Sequence, residues 1–234
     1  MSMARNLLDV ASAPYRAAGH FAYHFARGKL THDPVFEALL AQGLLTRRAV
    51  ILDLGCGQGL LAALLLAARA ASDCGSWPAH WPPSPQPSVV RGIELVNRQV
   101  RRAQRALGCR AEFIAGDVRR VDFGSADVIV ILDVLHYMTY ADQHAVLERA
   151  HGALTAAGVL LLRVADAAGG VGFVLGNLVD RLMLLAGGCG IKRLYCRTTG
   201  EWRALLSATG FDSEIMPMSG GTPFANVLIV AKPT

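Results

Sequence analysis

From Val50 to Gly59 the chain reads Val-Ile-Leu-Asp-Leu-Gly-Cys-Gly-Gln-Gly, and this stretch limits the possible folds more than any other. Four apolar residues broken only by Asp53 have the character of a buried parallel strand. Glycines at 55, 57 and 59 then let the backbone turn tightly against a ligand before a helix begins. Asp53 is a constraint of its own, because a carboxylate in a buried strand is costly unless a partner meets it there. The G-x-G-x-G spacing differs from the G-x-G-x-x-G of dinucleotide folds. No lysine follows the loop to meet phosphate, which excludes a P-loop.

Asp53-Leu54-Gly55-Cys56-Gly57-Gln58-Gly59 resembles the first motif of the class I S-adenosylmethionine-dependent methyltransferases, and the likeness extends over nearly the whole chain. It implies an α/β, Rossmann-like fold: a seven-stranded, mostly parallel sheet of order 3-2-1-4-5-7-6 with helices on both faces and an antiparallel last strand. It also implies S-adenosylmethionine as cofactor, with the loop lying along its methionine part. Asp53, Gly55, Cys56, Gly57, Gln58 and Gly59 are then expected cofactor contacts.

The later strands supply further candidates. Val89 to Glu94 reads as the second strand, with Asn97 to Leu107 as the helix after it. A carboxylate ending this strand is placed to accept from two ribose hydroxyls, so Glu94, with Leu95 beside it, is the expected ribose site; an exposed strand-end charge is the alternative. Ala111 to Ala115 is a short third strand followed by Gly116-Asp117-Val118. The resemblance gives Asp117 the adenine amino group and the next backbone amide, at Val118, the ring. A plain turn aspartate remains open, since Gly-Asp favours turns in any fold.

Asp127 to Asp133 is nearly all β-branched or leucine, hence a central fourth strand. Ligands gather outside the carboxyl ends of strands in open parallel sheets, so Asp133 is an expected cofactor contact and His136 the best base candidate. An imidazole titrates near pH 6.5; packing or substrate contact are the other roles open to it. Methyl transfer from a sulfonium needs mainly alignment and exclusion of water, so a base is optional.

Residues 1–46 read as an N-terminal helical cap, with Asp33 as cap and Pro34 opening a helix. Phe21, Phe25, Val35, Phe36, Leu39 and Leu40 are the expected buried side chains. In many class I methyltransferases a segment before the first strand folds over the cofactor, so Lys29 or Arg27 is placed to meet its carboxylate; a solvated helix end is the plainer reading. Five prolines between Ser72 and Ser88 exclude regular structure and suggest a mobile surface loop. Residues 166–198 read as an insertion after the fifth strand. Its apolar stretch 169–190 has glycines as hinges and is expected to form a lid, ordinary core, or a partner or membrane surface.

Length suits a single domain over 1–234. The charge of +5 comes from twenty arginines and three lysines. Four of them, Arg98, Arg101, Arg102 and Arg105, share one helical face, which is either merely solvated or a dock for an acidic carrier protein. An odd set of five cysteines without a C-x-x-C pair fits a reduced, cytoplasmic setting, and no apolar run reaches the roughly 18 residues of a membrane span.

Absent motifs narrow the acceptor. No Pro-Pro-aromatic follows the fourth strand, no Pro-Cys motif is present, and Asp142 is the only acid added near Asp133, so neither a nucleic acid base nor a metal is expected in the reaction. The expected function is methyl transfer to the oxygen or carbon of a small or carrier-bound apolar metabolite. An RNA methyltransferase is the alternative, marked by an arginine-rich surface at the cofactor mouth. A noncatalytic cofactor-binding protein is disfavoured because Asp53, Glu94 and Asp117 are all present.

Overall fold

A computed structural model describes residues 5–45, 49–176 and 193–234. Its seven-stranded sheet has the order β3-β2-β1-β4-β5-β7-β6, as the resemblance implies. Two compact units divide the chain, one of residues 1–122 with 126–128 and the other of 123–125 with 129–234.

The first unit opens with α1 (Arg5–Ser12), a 3-10 turn (Ala13–Ala18), α2 (His20–His32) and α3 (Pro34–Ala41). Asp33 caps α3 by accepting from Val35 N, with Pro34 in the first turn where its missing N–H costs nothing. β1 (Val50–Leu54), α4 (Leu60–Asp73), β2 (Val89–Glu94), α5 (Asn97–Leu107) and β3 (Glu112–Ala115) follow. α4 is built from alanine and leucine and buries eight of them. On α5 the buried side is Val100, Ala103, Ala106 and Leu107, with the arginines opposite. β1, β2 and β3 run parallel, with Leu54 beside Ile93 and Glu94 beside Ala115. Their carboxyl ends therefore finish in one row.

Two expectations about this unit are corrected. Phe21 is not core but 61% exposed, with the Arg102 guanidinium 4.9 Å from its ring centre; a cation on a ring face takes the place of burial. The proline-rich connection has no regular structure, as expected, yet it is tied down rather than loose. Trp81 and Ser84 are buried, Ser84 Oγ donates to Ala68 O at 3.0 Å, and Trp77 stands edge-on to Trp81.

β4 (Ala126–Leu132), whose first three residues count with the first unit, leads into the second. There α6 (Tyr140–Ala153), β5 (Leu154–Ala165), α7 (Thr199–Ala208), β6 (Phe211–Pro217) and β7 (Asn226–Pro233) follow. A reciprocal capping box between Thr198 and Glu201 starts α7. β7 is antiparallel to both neighbours, pairing Leu160 with Ala231 and Phe211 with Pro233.

The insertion is helical over 170–176, where Val171 is 77% exposed and Val174 and Leu175 are exposed as well. The rest of the expected lid, 177–192, lies outside the described residues. Gly169 and Gly172 are closely packed. A Cβ on Gly169 would collide with Ala225, and one on Gly172 would stand 2.8 Å from Pro223 O. Glycine here permits close approach of two backbones. Both ends of the insertion are joined, since Ala167 N donates to Arg197 O at 3.0 Å and Thr199 N to Asp166 Oδ1 at 3.1 Å.

Candidate active site

In the first unit the loop after β1 is made by Gly55, Gly57 and Gly59, at φ of 77°, 56° and 79°, a region that side chains strain to enter. Gly55 N and Cys56 N both donate to Ile93 O, at 2.8 and 3.2 Å, which lashes the loop to β2. Gly92 leaves room for the buried Cys56, whose Sγ would stand 2.6 Å from any Cβ there. Burial pushes the Cys56 thiol up, so it stays protonated and packs as a small apolar group.

Glu94, the expected ribose ligand, already serves the loop. Its Oε2 accepts from Gly57 N at 3.0 Å and its Oε1 from Val96 N at 2.7 Å. Ionised carboxylate oxygens have about four acceptor sites between them, so two remain for ribose hydroxyls. Leu95 beside it is 64% exposed, an apolar side chain open to a planar base. Gly116 N donates to Glu94 O at 3.0 Å and brings Asp117 to the same row of strand ends.

Asp117 departs from the expected picture. Its carboxylate is taken by the Arg119 guanidinium, at 2.6 Å to Oδ2, and by Arg119 N at 2.9 Å. These bonds hold it below the usual carboxylate range. Val118 is buried behind it. Lys29 is likewise engaged, its Nζ lying 2.7 Å from Asp33 Oδ2, and Arg27 pairs with Asp9. A charge on each of these cations is already answered inside the helical cap.

Gln58 and Tyr15 bind that cap to the loop. Tyr15, fully buried, donates to Gln58 O at 2.8 Å, and Gln58 Nε2 donates to Ala22 O at 2.9 Å. Burial raises the Tyr15 hydroxyl far above the working range, which keeps it a donor. Nothing in the sequence marks Tyr15 for this role.

Asp53 is 5% exposed, and no hydrogen bond reaches its carboxylate from the described residues. Burial, with the charge of Glu94 adding to it, raises its pKa from the usual 3.8 to about 7. An acid with a raised pKa holds a proton in the folded state that the unfolded chain has released. Its contribution to stability is therefore full below about pH 4, is lost as pH rises to about 7 and is constant above, with a slope of at most about 1.4 kcal/mol per pH unit. Urea midpoints measured from pH 4 to 8 should show this fall in the ligand-free protein, and Asp53→Asn should flatten it. An unchanged profile in the variant would assign the slope elsewhere.

In the second unit Asp133 ends β4 with φ of 59°, the one non-glycine residue described in the left-handed region. Its carboxylate is paired with Arg163 of β5, whose Nε lies 2.8 Å from Oδ1 and whose side chain is 2% exposed. Asp133 thus answers a buried strand charge, a role the sequence reading did not give it. The signal was present, for Arg163 interrupts Leu160-Leu161-Leu162 and Val164 as Asp53 interrupts β1. His136 is 7% exposed on the turn Leu135–Tyr137, its ring 4.0 Å from that of Tyr137.

Comparisons with known proteins bear on the fold and on the family the chain resembles. Residues 52–160 match the family described as "Methyltransferase domain". Over 129 residues the chain is 33% identical to carboxy-S-adenosyl-L-methionine synthase of Chromohalobacter salexigens, covering 53% of this chain and 43% of that protein's length. Magnesium protoporphyrin IX methyltransferase of Synechocystis has a similar fold, with a TM-score of 0.58 at 22% identity, covering 94% of this chain and 92% of that one. A TehB-like methyltransferase of Corynebacterium glutamicum gives a TM-score of 0.59 at 16% identity, covering 95% and 99%. With its glycine loop and its 3-2-1-4-5-7-6 sheet, the chain is similar over residues 52–160 to the methyltransferase domain and shares the fold of these methyltransferases.

Proposed function

We propose that this protein transfers the methyl group of S-adenosylmethionine to a small acceptor with an apolar body. One observation carries the reading: Gly55, Glu94 and Asp117 stand at the ends of three adjacent parallel strands, with Asp53 buried beneath the loop. The residues present suit this cofactor. Left-handed glycines leave the loop open to its amino acid end, Glu94 retains acceptors for ribose, and Asp53, whose pKa is raised to about 7 in the ligand-free protein, becomes a negative charge when a cationic ligand favours loss of its proton. The cofactor, when bound, supplies a methyl carbon made electrophilic by a sulfonium.

The chain's own work is to orient the acceptor and keep water away. The exposed Val171, Val174 and Leu175 after β5 support an apolar acceptor. His136, on the turn after β4, is the group proposed to take the acceptor's proton. Labelled cofactor added to a metabolite extract, with products read by mass spectrometry, tests the reaction. With a hydroxyl acceptor, His136→Ala should lower turnover about 100-fold, within the usual range for a proton-transferring group, and leave cofactor affinity nearly unchanged. Normal turnover across pH would remove that role.

A second reading rests on α5. Arg98, Arg101 and Arg105 are exposed there without an acidic residue on the same helix, as a dock for an acidic carrier protein bearing the acceptor would be. Label recovered on a carrier protein would favour that form of the reaction. Recovery in RNA would favour the nucleic acid alternative, and cofactor binding without any labelled product would favour a noncatalytic protein.

A further inference from the structure

Gln143, on α6, is fully buried and is the centre of a clamp that the reaction described above does not use. Its Nε2 lies 3.0 Å from Leu135 O, 3.3 Å from Met138 O and 2.7 Å from Tyr195 O, while Oε1 accepts from Arg197 Nε at 2.8 Å. The first two carbonyls flank His136. The other two partners belong to the segment on which the chain returns from the insertion. Tyr195 N also donates to His136 O at 2.8 Å, and Tyr140 Oη to Cys196 O at 3.1 Å. The Arg197 guanidinium lies 4.4 Å from the Tyr140 ring centre and 5.7 Å from that of Trp202. Residues 193–198 are therefore fixed against the His136 turn by both backbone and side chains, and this end of the insertion is a wall rather than part of a moving lid.

What the wall presents is specific. Tyr195 stands edge-on to Tyr140 with ring centres 5.4 Å apart, and the Arg193 guanidinium lies 5.2 Å from the Tyr195 ring. Tyr137 and Tyr140 are both more than a third exposed. Arg193 is exposed too, and no carboxylate among the described residues pairs with it. Rings offer stacking faces to a flat ligand, and the planar fork of an arginine is suited to a carboxylate.

We propose that Tyr137, Tyr140, Tyr195 and Arg193 form the acceptor subsite of this enzyme, and that it takes a planar aromatic carboxylic acid, with Gln143 as the positioning residue that holds the wall. The proposal rests on the methyltransferase reading and narrows its acceptor to an apolar ring with an anionic handle. Stacking serves the ring, and Arg193 serves the carboxylate.

Calorimetry on the protein saturated with S-adenosylhomocysteine tests it without turnover, using 4-hydroxybenzoate and its neutral counterpart 4-hydroxybenzamide as probes. The benzoate should bind about tenfold more tightly or better, in line with a charge-assisted pair. Arg193→Ala, at an exposed position, should abolish that preference while leaving the benzamide unaffected. Gln143→Glu should weaken both probes alike with S-adenosylhomocysteine affinity retained, and Tyr195→Leu should do the same. Equal binding of the two probes, no binding of either, or a preference that survives Arg193→Ala would overturn the subsite. Failure to bind S-adenosylhomocysteine, measured first, would overturn the methyltransferase reading and the subsite with it.

Discussion

Glu94→Ala should weaken S-adenosylmethionine binding about 100-fold or more. The carboxylate is asked to do two things at once: it holds Gly57 N and Val96 N in the free protein, and its remaining lone pairs suit two ribose hydroxyls. Hydrogen bonds to a charged group contribute roughly 1.5–3 kcal/mol each, and about 2.7 kcal/mol is a hundredfold in affinity. Losing the two ribose bonds proposed for it, together with the brace on the glycine loop, reaches that figure. Glu94→Gln keeps an acceptor oxygen and should fall between the two. Calorimetry against the wild type decides it, and equal affinity in the alanine variant would remove Glu94 from the site.

Arg163→Ala should strongly destabilise the second unit. The guanidinium is almost fully buried within β5, and its removal leaves Asp133 charged beside an apolar strand. Breaking such a pair costs about 3–5 kcal/mol, a large share of a typical total of roughly 5–15 kcal/mol. For a chain of this size the melting temperature should fall by about 10 °C. Asp133→Asn preserves the left-handed backbone, which asparagine tolerates. The double variant Arg163→Met with Asp133→Asn should therefore recover part of the loss, because no unanswered charge remains. Strictly additive effects in urea unfolding would mean that the pair is not coupled.

Individual strands such as β1 and β4 were legible as apolar runs, and the order in which the strands pair was legible through the resemblance to a known family. The row of strand ends was legible for a related reason. Gly55 to Gly59, Glu94 and Asp117 each follow a strand within a few residues, and parallel register brings those ends together. What escaped reading depends on which partner each side chain finds, whether near or far in the chain. Phe21 lies in the open because Arg102 covers it, and the Asp117 carboxylate, expected for adenine, is shared with Arg119. Lys29 is answered by Asp33, four residues on, which a purely positional argument does not weigh. Gln143 and Arg197 show no pattern at all, since a single amide on a helix gains meaning only when three carbonyls converge on it. In the connection 72–88 proline content spoke correctly against regular structure, but composition does not register the two side chains, Trp81 and Ser84, that pin it.

The hydrogen bond from Tyr15 to Gln58 spans 43 residues, and it has a consequence for how the chain acquires its structure. The cap is synthesised first, yet Tyr15, Leu7 and Leu8 of its buried side have no glycine loop or α4 to dock on until that later stretch has left the ribosome. At about 5–20 residues per second, the interval is a few seconds during which short helices must persist with their apolar sides uncovered. Isolated helices of eight residues are marginal in water, so the cap does not become ordered before the loop and α4 on which it docks, even though it is made before them.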